Sequence, residues 1–351
     1  MSTVPSASQP VALTSGSVES KIWLTVVVIG RNEGPRLVRC LESIHRANLS
    51  QFGAVEVIYV DSDSTDESVS RAKQLGATVE VVHPTRPTAA LGRNAGWRQG
   101  TGEFVLFLDG DTILDPGFVP TALSAFDDRA VAVVWGNRRE ICPEASVYNR
   151  VLDLDWMAPA GPSAYCGGDA LMRRSVLEEI NGYDENLIAG EEPEMCRRMR
   201  ARGYVILHLD VPMTGHDLAM TRWSQYWRRA TRTGYAYAEV SNRFKGTALP
   251  LWEAESNANL KRGPLLLTLL GISLLGSLVM WNPLPLLGFF LLMTALMVRT
   301  ASKFGWKSRS WPTRLLYGVH SHLQQIPIFL GQLQYFRDRK NGQKRGLIEY
   351  K

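Results

Sequence analysis

The first part of the chain alternates between short apolar runs and segments with helical spacing. Ile22–Ile29 is a continuous, β-branched apolar run, which is typical of a strand buried on both faces of a sheet. After the turn at residues 30–35, apolar residues recur at helical spacing from Leu37 to Ala47 and predict a helix. The same reading predicts strands at Val55–Val60, Thr78–Val82, Phe104–Leu108 and Ala130–Trp135, and helices from Ser64 or Thr65 to about Leu75 and at Ala89–Gln99. Strands that alternate with helices predict an α/β fold with a doubly wound, mostly parallel sheet.

The pattern is less regular over residues 140–216. It predicts a helix at about Pro193–Arg202, a strand at Tyr204–Leu209 that leads to His216, and a helix at Arg222–Val240. This region therefore adds elements to the sheet and its surroundings, but its loops are the part of the chain that the pattern defines least.

Polar side chains follow three of the predicted strands. Asn32 and Glu33 come after the first strand, Asp61 after the second, and Asp109 begins the turn after the fourth. Ligands of such sheets bind at the carboxyl ends of the strands, so we expect these side chains to converge on one site. Capping of the next helix is the competing role for Asp61, and it is the favoured one for Asp63.

Two apolar runs near the C-terminus contain no charged residue. Leu265–Met280 has 16 residues and Leu284–Val298 has 15, and residues 281–283 separate them. At about 1.5 Å per residue each run is roughly 24 Å long as a helix, slightly short of the roughly 30 Å hydrocarbon layer. A hairpin of two short transmembrane helices fits this pattern, and a buried hairpin of a soluble protein is the alternative. Leu315–Phe336 predicts an amphipathic interfacial helix or a third, poorer span.

Charge is distributed unevenly along the 351 residues. Residues 1–260 hold 26 basic and 32 acidic side chains, net −6, whereas residues 261–351 hold 13 and 2, net +11. Basic residues flank the apolar runs on both sides, which predicts that both flanks and the catalytic domain lie on the cytoplasmic side of the cell (inner or plasma) membrane, in contact with its lipids. The acidic body argues against nucleic-acid binding.

These patterns divide the chain into five segments. Residues 1–20 are rich in Ser, Thr and Pro and predict a disordered leader. The other segments are a globular domain, a linker, the transmembrane hairpin and a basic juxtamembrane, amphipathic region, at 21–245, 246–263, 264–299 and 300–351. Four widely spaced cysteines exclude a disulfide scaffold and a zinc ribbon.

The sharpest chemical feature is the triplet Asp109-Gly110-Asp111 after an apolar strand. Two carboxylates separated by one small residue can project into one site, and hard divalent cations prefer such oxygen ligands. A Mn²⁺ or Mg²⁺ ion held there would neutralise a diphosphate and stabilise its departure. Such a triplet alone is often a solvated turn, and its place beside two other polar strand ends strengthens the prediction.

From Leu24 to Tyr237 the chain resembles glycosyltransferase family 2, whose catalytic domain has the nucleotide-sugar-binding GT-A fold. The resemblance depends on an ordered set of motifs: VIGRNE at 28–33, VDSDSTD at 60–66, GRNAG at 92–96, FLDGD at 107–111, GGDALMRR at 167–174, GYDE at 182–185 and GEE at 190–192. Each motif alone is weak, and all of them in this order are highly specific.

The resemblance implies a role for each matched residue at the nucleotide end of the site. Asn32, Glu33 and Asp61 would line the base pocket, and Arg93 and Asn94 would lie beside the nucleoside. The substrate-binding and metal set is completed by residues on the later motifs: Asp109 on the ribose and metal side, Asp111 on the metal, and Gly168 and Asp169 on the substrate.

The resemblance also implies a catalytic base and two further contacts. Glu192 would be the base with Glu191 in reserve, although this chain has Glu where the family usually has Asp. Both acids also suit the first turn of a helix, where the dipole favours them. His216 would complete the metal or diphosphate shell, with a local structural role as the alternative. Arg228, in a segment resembling Gln-x-x-Arg-Trp, would clamp the diphosphate.

Taken together, the sequence predicts an inverting, metal-dependent glycosyltransferase. It would move a hexose from a nucleotide sugar, UDP-linked by preference, to a lipid-linked or glycan acceptor near the membrane, in exopolysaccharide, cell-envelope or glycolipid biosynthesis. A nucleotidyltransferase of related fold and a catalytically silent membrane scaffold are the alternatives. The released product distinguishes the two enzyme classes: a glycosyltransferase releases a nucleoside diphosphate, whereas a nucleotidyltransferase releases pyrophosphate.

Overall fold

The computed structural model of the chain describes residues 23–343. The predicted leader at 1–20 and the end of the basic region, 344–351, lie outside the described residues. In chain order, strands β1–β9 are Trp23–Gly30, Ala54–Asp61, Thr78–Val81, Phe104–Asp109, Thr112–Leu114, Val131–Glu140, Gly161–Ser163, Ala170–Arg173 and Val205–His216. Helices α1–α12 are Pro35–Arg46, Ser68–Gln74, Ala89–Gln99, Phe118–Leu123, Val147–Asp155, Arg174–Ile180, Glu191–Ala201, Trp223–Phe244, Glu253–Val279, Leu284–Lys303, Trp311–Leu323 and Gln325–Lys340.

One half of the sheet is parallel and confirms the predicted doubly wound arrangement. Strands β3, β2, β1 and β4 lie side by side in this order, and all are parallel. Their residues form a buried core between the sheet and its helices, because the strands are apolar on both faces. Gly30 pairs with Asp61 and Ile29 with Asp109, so three strands end at the same level. That shared edge is where ligands of such sheets bind.

The other half of the sheet contains both parallel and antiparallel pairs. Beyond β4 the order is β8, β6, β9 and β5, and β8 is antiparallel to both of its neighbours. Strand β9 runs on to His216, well past the predicted end at Leu209, because it pairs with β6 along its whole length and with β5 on its other edge from Thr214 to His216. The apolar pattern did not predict this extension, because polar residues such as Asp210 and Thr214 interrupt the apolar run.

Residues 253–263, which the sequence predicts to be linker, are the first turns of α9. Buried polar contacts hold them in place: Gln332 Nε2 on α12 donates to Ser256 Oγ at 2.8 Å and to the Ser256 carbonyl at 3.1 Å. The predicted single helix at Leu315–Phe336 is instead two helices, α11 and α12, that meet at Gln324. Its amphipathic spacing is broken there, and α12 packs along α8.

Helices α9 and α10 form an antiparallel apolar pair joined by a short turn at residues 280–283. Within residues 23–343 they are the two helices that are long and apolar enough to cross a membrane. Large apolar side chains on both helices remain exposed, including Ile272 and Leu291, and so does Trp281 in the turn between them. A soluble core hairpin would bury such residues, so this surface favours the transmembrane alternative.

The C-terminal helices pack against the sheet-containing part of the chain where α12 crosses α8. A Cβ atom on Gly331 would overlap the carbonyl of Thr231, and one on Gly234 would overlap the carbonyl of Ile328. The two helix backbones are therefore in direct contact, which only glycine permits at these positions.

We expect Gly331→Ala to lower the free energy of unfolding by about 1–3 kcal/mol, because the added methyl group must separate two packed backbones. Gly271→Ala on α9 is the matched control, since a Cβ there meets open space and alanine favours a helix. Thermal unfolding in detergent measures both. Equal melting temperatures for the two variants would contradict the close crossing.

Candidate active site

A cavity of about 510 Å³ opens at the carboxyl ends of β1 and β4. Its walls come from the turn after β1, the turn after β4, the start of α7 and one face of α8: Asn32 and Glu33, Asp109 to Asp111, Glu191 and Glu192, and Arg229 and Arg232. Most of the residues that the sequence predicts for the site therefore meet here. The cavity lies at this edge of the sheet because β1, β2 and β4 end at the same level.

Arg93 on α3 is the buried cation of this cavity, with 2% of its surface exposed. Its Nη1 lies 3.0 Å from a carboxylate oxygen of Glu191 and 3.0 Å from one of Glu192, and its Nη2 donates to Asp109 Oδ1 at 2.9 Å. Burial opposes the charged form, but Glu192, Asp109 and Glu191 outweigh it and hold the pKa of Arg93 well above its ordinary value. Arg93 therefore stays charged and joins the end of β4 to the start of α7.

Glu191 and Glu192 occupy the first turn of α7, two residues earlier than the predicted helix start. The helix dipole favours acids there, as expected. Burial, followed by the charge of Glu191, raises the pKa of Glu192 to about 7 against the opposing charge of Arg93. A carboxylate that exchanges its proton near neutral pH is suited to general-base catalysis.

Asp109 is engaged by cations on both of its oxygens. Besides Arg93 on Oδ1, Arg138 approaches Oδ2 with Nη1 at 3.3 Å and Nη2 at 3.2 Å. A Cβ on Gly168 would lie 2.5 Å from Arg93 Nη2 and 3.0 Å from Asp109 Oδ2. Gly168 lines the cavity beside this ion pair. A side chain at this position would collide with Arg93 and Asp109, so the site requires glycine here.

Asp169 is a positioning residue and does not line the cavity. Its Oδ1 accepts from the backbone N–H of Asp109 at 2.9 Å, and its Oδ2 accepts from Thr214 Oγ1 at 2.7 Å. It thereby fixes the end of β4 against β9. Direct contact of Asp169 with the substrate stays a prediction.

Asp111 and His216 lie together on the floor of the cavity, at the β4–β5 turn and the end of β9. His216 Nε2 is 3.3 Å from Asp111 Oδ2, and Trp156 packs against the imidazole with ring centroids 4.7 Å apart. Burial, followed by the charge of Arg138, lowers the pKa of His216 to about 4. The imidazole is therefore neutral at physiological pH and keeps a lone pair for a ligand.

The donor set of this pair fits a divalent cation that shares its coordination with a substrate. Asp111 offers carboxylate oxygens and His216 offers its neutral Nε2, while His216 Nδ1 lies 3.8 Å from Glu140 Oε2. Among the described residues no group of three or more His, Cys, Asp or Glu side chains forms a complete metal site. Further ligands would therefore come from outside this pair, as when a metal binds through a carboxylate and phosphate oxygens.

Asn32 and Glu33 lie where the sequence places them, on the cavity wall after β1. Asn32 has a left-handed backbone, φ 55°, and its Oδ1 accepts from the backbone N–H of Thr65 at 2.8 Å. Its own N–H donates to Ser64 Oγ at 2.8 Å. These contacts join the turns after β1 and β2 and shape one end of the cavity.

Asp61 and Asn94 do not line the cavity, and their contacts with the nucleoside stay a prediction. Asp61 is fully buried and accepts from Tyr59 Oη at 2.8 Å and from Ser64 N at 2.7 Å and Oγ at 2.6 Å. Asn94 Nδ2 donates to the Tyr183 carbonyl at 2.8 Å, and its Oδ1 accepts from the Tyr183 N–H at 3.0 Å. Both side chains are used to hold loops behind the site.

Arg228 is exposed and its Nε donates to the Ser224 carbonyl of its own helix at 3.3 Å. Arg229 and Arg232 line the cavity in its place. Arg229 and Arg232 are three apart on α8 and share a face, but Arg228 and Arg232, which are four apart, satisfy the same rule. Helical spacing therefore does not distinguish Arg228 from Arg229, and the structure shows that Arg229 is the one that lines the cavity.

Arg138 and Trp156 also line the cavity, and sequence reasoning did not select them. The Arg138 guanidinium lies 5.2 Å from the centre of the Trp156 ring, a cation–π distance. Arg138 was missed because β6 runs on to Glu140, past its predicted end at Trp135. Its position just after a buried strand was the available signal.

Comparisons with known proteins agree with this fold. The model of glycosyl transferase family 2 matches residues 25–180, and that of glycosyl transferase family group 2 matches residues 104–306, more than half of the chain. A mannosyltransferase from Pyrobaculum calidifontis, solved with GDP-Man and Mn²⁺, superimposes over 92% of this chain and 89% of its own with a TM-score of 0.58 at 18% identity. The cavity therefore belongs to a GT-A catalytic domain.

The chain is a member of glycosyltransferase family 2, and it is an enzyme of the glycosyltransferase class. The pre-mycofactocin glycosyltransferase of Mycobacterium tuberculosis is 27% identical over 208 residues, which cover 55% of this chain and 42% of the relative. An N-acetylglucosaminyltransferase of Mesorhizobium japonicum is 29% identical over 199 residues, 51% of this chain and 46% of the relative. The chain thus spans less than half the length of these relatives.

We expect Arg93→Met to lower the free energy of unfolding by about 3–5 kcal/mol, because it leaves buried carboxylates without their shared cation. Arg98→Met is the control, since the Arg98–Glu185 pair is exposed and is expected to contribute about 0–1 kcal/mol. Chemical denaturation measures both. The Arg93→Met loss should shrink as the pH falls through about 7, where Glu192 becomes protonated and no longer needs the cation. A loss that does not depend on pH would refute this charge balance.

Proposed function

We propose that this protein is an inverting, metal-dependent hexosyltransferase that uses a nucleotide sugar, UDP-linked by preference, and a lipid-linked or membrane-proximal acceptor. The observation that carries the proposal is the grouping of Glu192, with its raised pKa, and the Asp111–His216 pair in one cavity. The Glu192 carboxylate can accept a proton, and the Asp111–His216 pair is suited to bind a metal ion.

The proposed reaction is a single displacement. Glu192 accepts the proton of an acceptor hydroxyl, and the oxygen forms a bond to the anomeric carbon of the donor. The bond from that carbon to the diphosphate breaks, and the nucleoside diphosphate leaves with the electron pair. Attack from the face opposite the leaving group inverts the anomeric configuration. Glu191, which is 4% exposed, is the reserve base.

The donor diphosphate would bind beside three guanidinium groups of the cavity. Arg138, Arg229 and Arg232 all line it, and planar guanidinium groups bind phosphate oxygens in a bidentate manner. Asn32 and Glu33 at the end of β1 would contact the nucleoside. The GDP-Man in the Pyrobaculum enzyme of the same fold supports a nucleotide-sugar donor here.

Asp111 and His216 would hold the divalent metal, with Asp109 as an electrostatic neighbour. A bound Mn²⁺ or Mg²⁺ ion would supply positive charge for the departing diphosphate. The neutral imidazole of His216 and the position of Asp111 at the strand end support this assignment. The Mn²⁺ in the Pyrobaculum structure supports divalent metal use in this fold.

The apolar hairpin supports an acceptor at a membrane. Helix α10 has 20 residues, about 30 Å at 1.5 Å per residue, which matches the hydrocarbon layer. Basic side chains precede and follow the hairpin, so we assign both of its ends, and the catalytic domain, to the cytoplasmic face.

We expect Glu192→Gln to lower kcat by about 10²- to 10⁴-fold while nucleotide-sugar binding persists, because the variant keeps its shape but accepts no proton. Turnover of a panel of nucleotide sugars by purified protein, with identification of the released nucleoside diphosphate, provides the assay. Glu191→Gln is the matched comparison and should lose less activity. The reverse order would transfer the base role to Glu191, and release of pyrophosphate would overturn the reaction class.

The pH dependence of kcat/KM should show a rising limb near pH 7. Below that pH Glu192 is protonated and cannot accept the acceptor proton, so activity increases as pH rises through the pKa of about 7. The residual activity of Glu192→Gln should lack this limb. An unchanged limb in the variant would show that another group titrates.

Removal of the metal with a chelator should abolish transfer, and Mn²⁺ or Mg²⁺ should restore it. Asp111→Asn should weaken metal-dependent nucleotide-sugar binding at least about tenfold, because a neutral amide is a poorer ligand for a hard cation. Asp127→Asn, at an exposed position, is the control. Calorimetry with and without metal distinguishes the outcomes, and equal affinity in wild type and Asp111→Asn would refute the metal assignment.

A further inference from the structure

A second cavity, of about 630 Å³, lies between the catalytic half of the chain and the C-terminal helices. Helix α8 supplies Arg229 and Thr233 to its wall, α9 supplies Asn259 and Arg262, and α12 supplies Gln325. The proposed donor and base contacts account for none of these residues except Arg229. Arg229 lines both cavities, so the second cavity adjoins the active site.

The cavity also reaches the level at which the apolar hairpin begins. Ala254, Ala258 and Arg262 are spaced by four residues on α9 and line the cavity as one helical face. The uncharged run of the same helix starts at Leu265, three residues after Arg262. Arg262 itself is exposed. A molecule in this cavity would therefore extend from the start of the apolar segment to Arg229 at the active site.

The lining is chemically suited to a head group that carries both hydroxyls and negative charge. Gln325 Oε1 is buried without a hydrogen-bond partner, so a hydroxyl donor from a ligand would satisfy it. Its amide nitrogen already donates to the Ser321 carbonyl at 3.2 Å. At the outer end, the exposed guanidinium of Arg262 is suited to a phosphate.

Two acidic residues line this cavity, Asp155 and Glu255, and Asp155 is paired with its neighbours. Asp155 Oδ2 lies 3.1 Å from His320 Nε2, and His320 Nδ1 is 2.9 Å from Tyr226 Oη. Burial opposes ionisation of Asp155, but His320, Arg229 and Lys307 lower its pKa. The Asp155–His320–Tyr226 chain thus joins α5, α11 and α8 into a fixed wall.

We propose that the second cavity binds the head group of the acceptor, a sugar attached through a phosphate to a membrane-embedded lipid chain. This inference deepens the proposed function and depends on it. The phosphate lies at Arg262, the lipid chain follows the apolar part of α9, and the sugar occupies the polar interior beside Gln325. A sugar hydroxyl reaches the active site past Arg229, the residue that both cavities share.

The lipid-linked form is favoured over a soluble glycan by the continuity of α9. One helix carries the cavity face, the cation at its outer end and the exposed apolar surface in direct succession. A soluble acceptor would need neither the cation at that level nor the apolar surface beyond it. Anionic head groups attached to apolar chains combine both features.

The test uses the full chain in phosphatidylcholine vesicles that contain a photoreactive polyprenyl phosphate. Ala258→Trp fills the cavity, and Asn257→Trp, one position away and outside the lining, is its control. Arg262→Gln removes the proposed phosphate contact, and Lys261→Gln is the matched exposed control. Peptide mapping locates the cross-links, and calorimetry with UDP or another nucleoside diphosphate reports the donor cavity independently.

We expect cross-links on residues 253–263 and on α12. Ala258→Trp should reduce them at least about tenfold and Arg262→Gln about fivefold, while both controls and the nucleotide affinity stay near wild type. Labelling that is confined to the outer surface of α9 and α10, or that is insensitive to Ala258→Trp, would overturn the proposal. Full competition by inorganic phosphate at equal concentration would also overturn it, because the lipid chain would then add nothing.

The failure of this inference and that of the proposed function have different signatures. If nucleotide sugars turn over with metal but the lipid probe ignores the cavity, the transferase proposal remains and the acceptor site is wrong. If the probe labels the cavity but no nucleotide sugar is turned over, the proposed function is wrong and the acceptor assignment falls with it.

Discussion

The arrangement of the active site depends on one buried guanidinium, that of Arg93. It contacts carboxylates at the end of β4 and at the start of α7, two segments far apart in the chain. Burying one cation with several acids is costly unless every group is paired, so the surrounding structure is constrained to hold the geometry. Gly168 leaves the necessary space, Asp169 fixes the Asp109 backbone, and Asn94 holds the neighbouring loop.

Burial has opposite effects on the pKa values of two groups in this cavity, Glu192 and His216. Near Arg93, burial and the adjacent Glu191 raise the pKa of Glu192 towards neutrality. At His216, burial and the charge of Arg138 act on a base and lower its pKa to about 4. Burial disfavours the charged form of both groups. It therefore favours a carboxylate that can take a proton and an imidazole that stays neutral.

The sequence predicted the parallel half of the fold and the location of the site, because β-branched runs and polar strand ends depend on local pattern. It did not predict the direction of β8 or the length of β9, whose partners come from distant segments. Residue roles divide in the same way. Motifs selected Glu192, Asp111 and His216, which line the cavity, and also Asp61 and Asn94, whose side chains are hydrogen-bonded to buried protein groups. Arg229 was missed by one position, since a motif fixes spacing but not which face of α8 is turned inward.

Helix α8 couples the catalytic half to the apolar hairpin. One part of its surface carries Arg229 and Arg232 into the active-site cavity, and another part, at Gly234, contacts the backbone of α12. Helix α12 in turn holds the first turns of α9 through Gln332. A rigid chain of contacts therefore fixes the start of the apolar segment relative to the arginines of the site. The acidic body and the basic C-terminal quarter are thus joined by a helix whose packing fixes the distance between the active-site cavity and the start of the apolar hairpin.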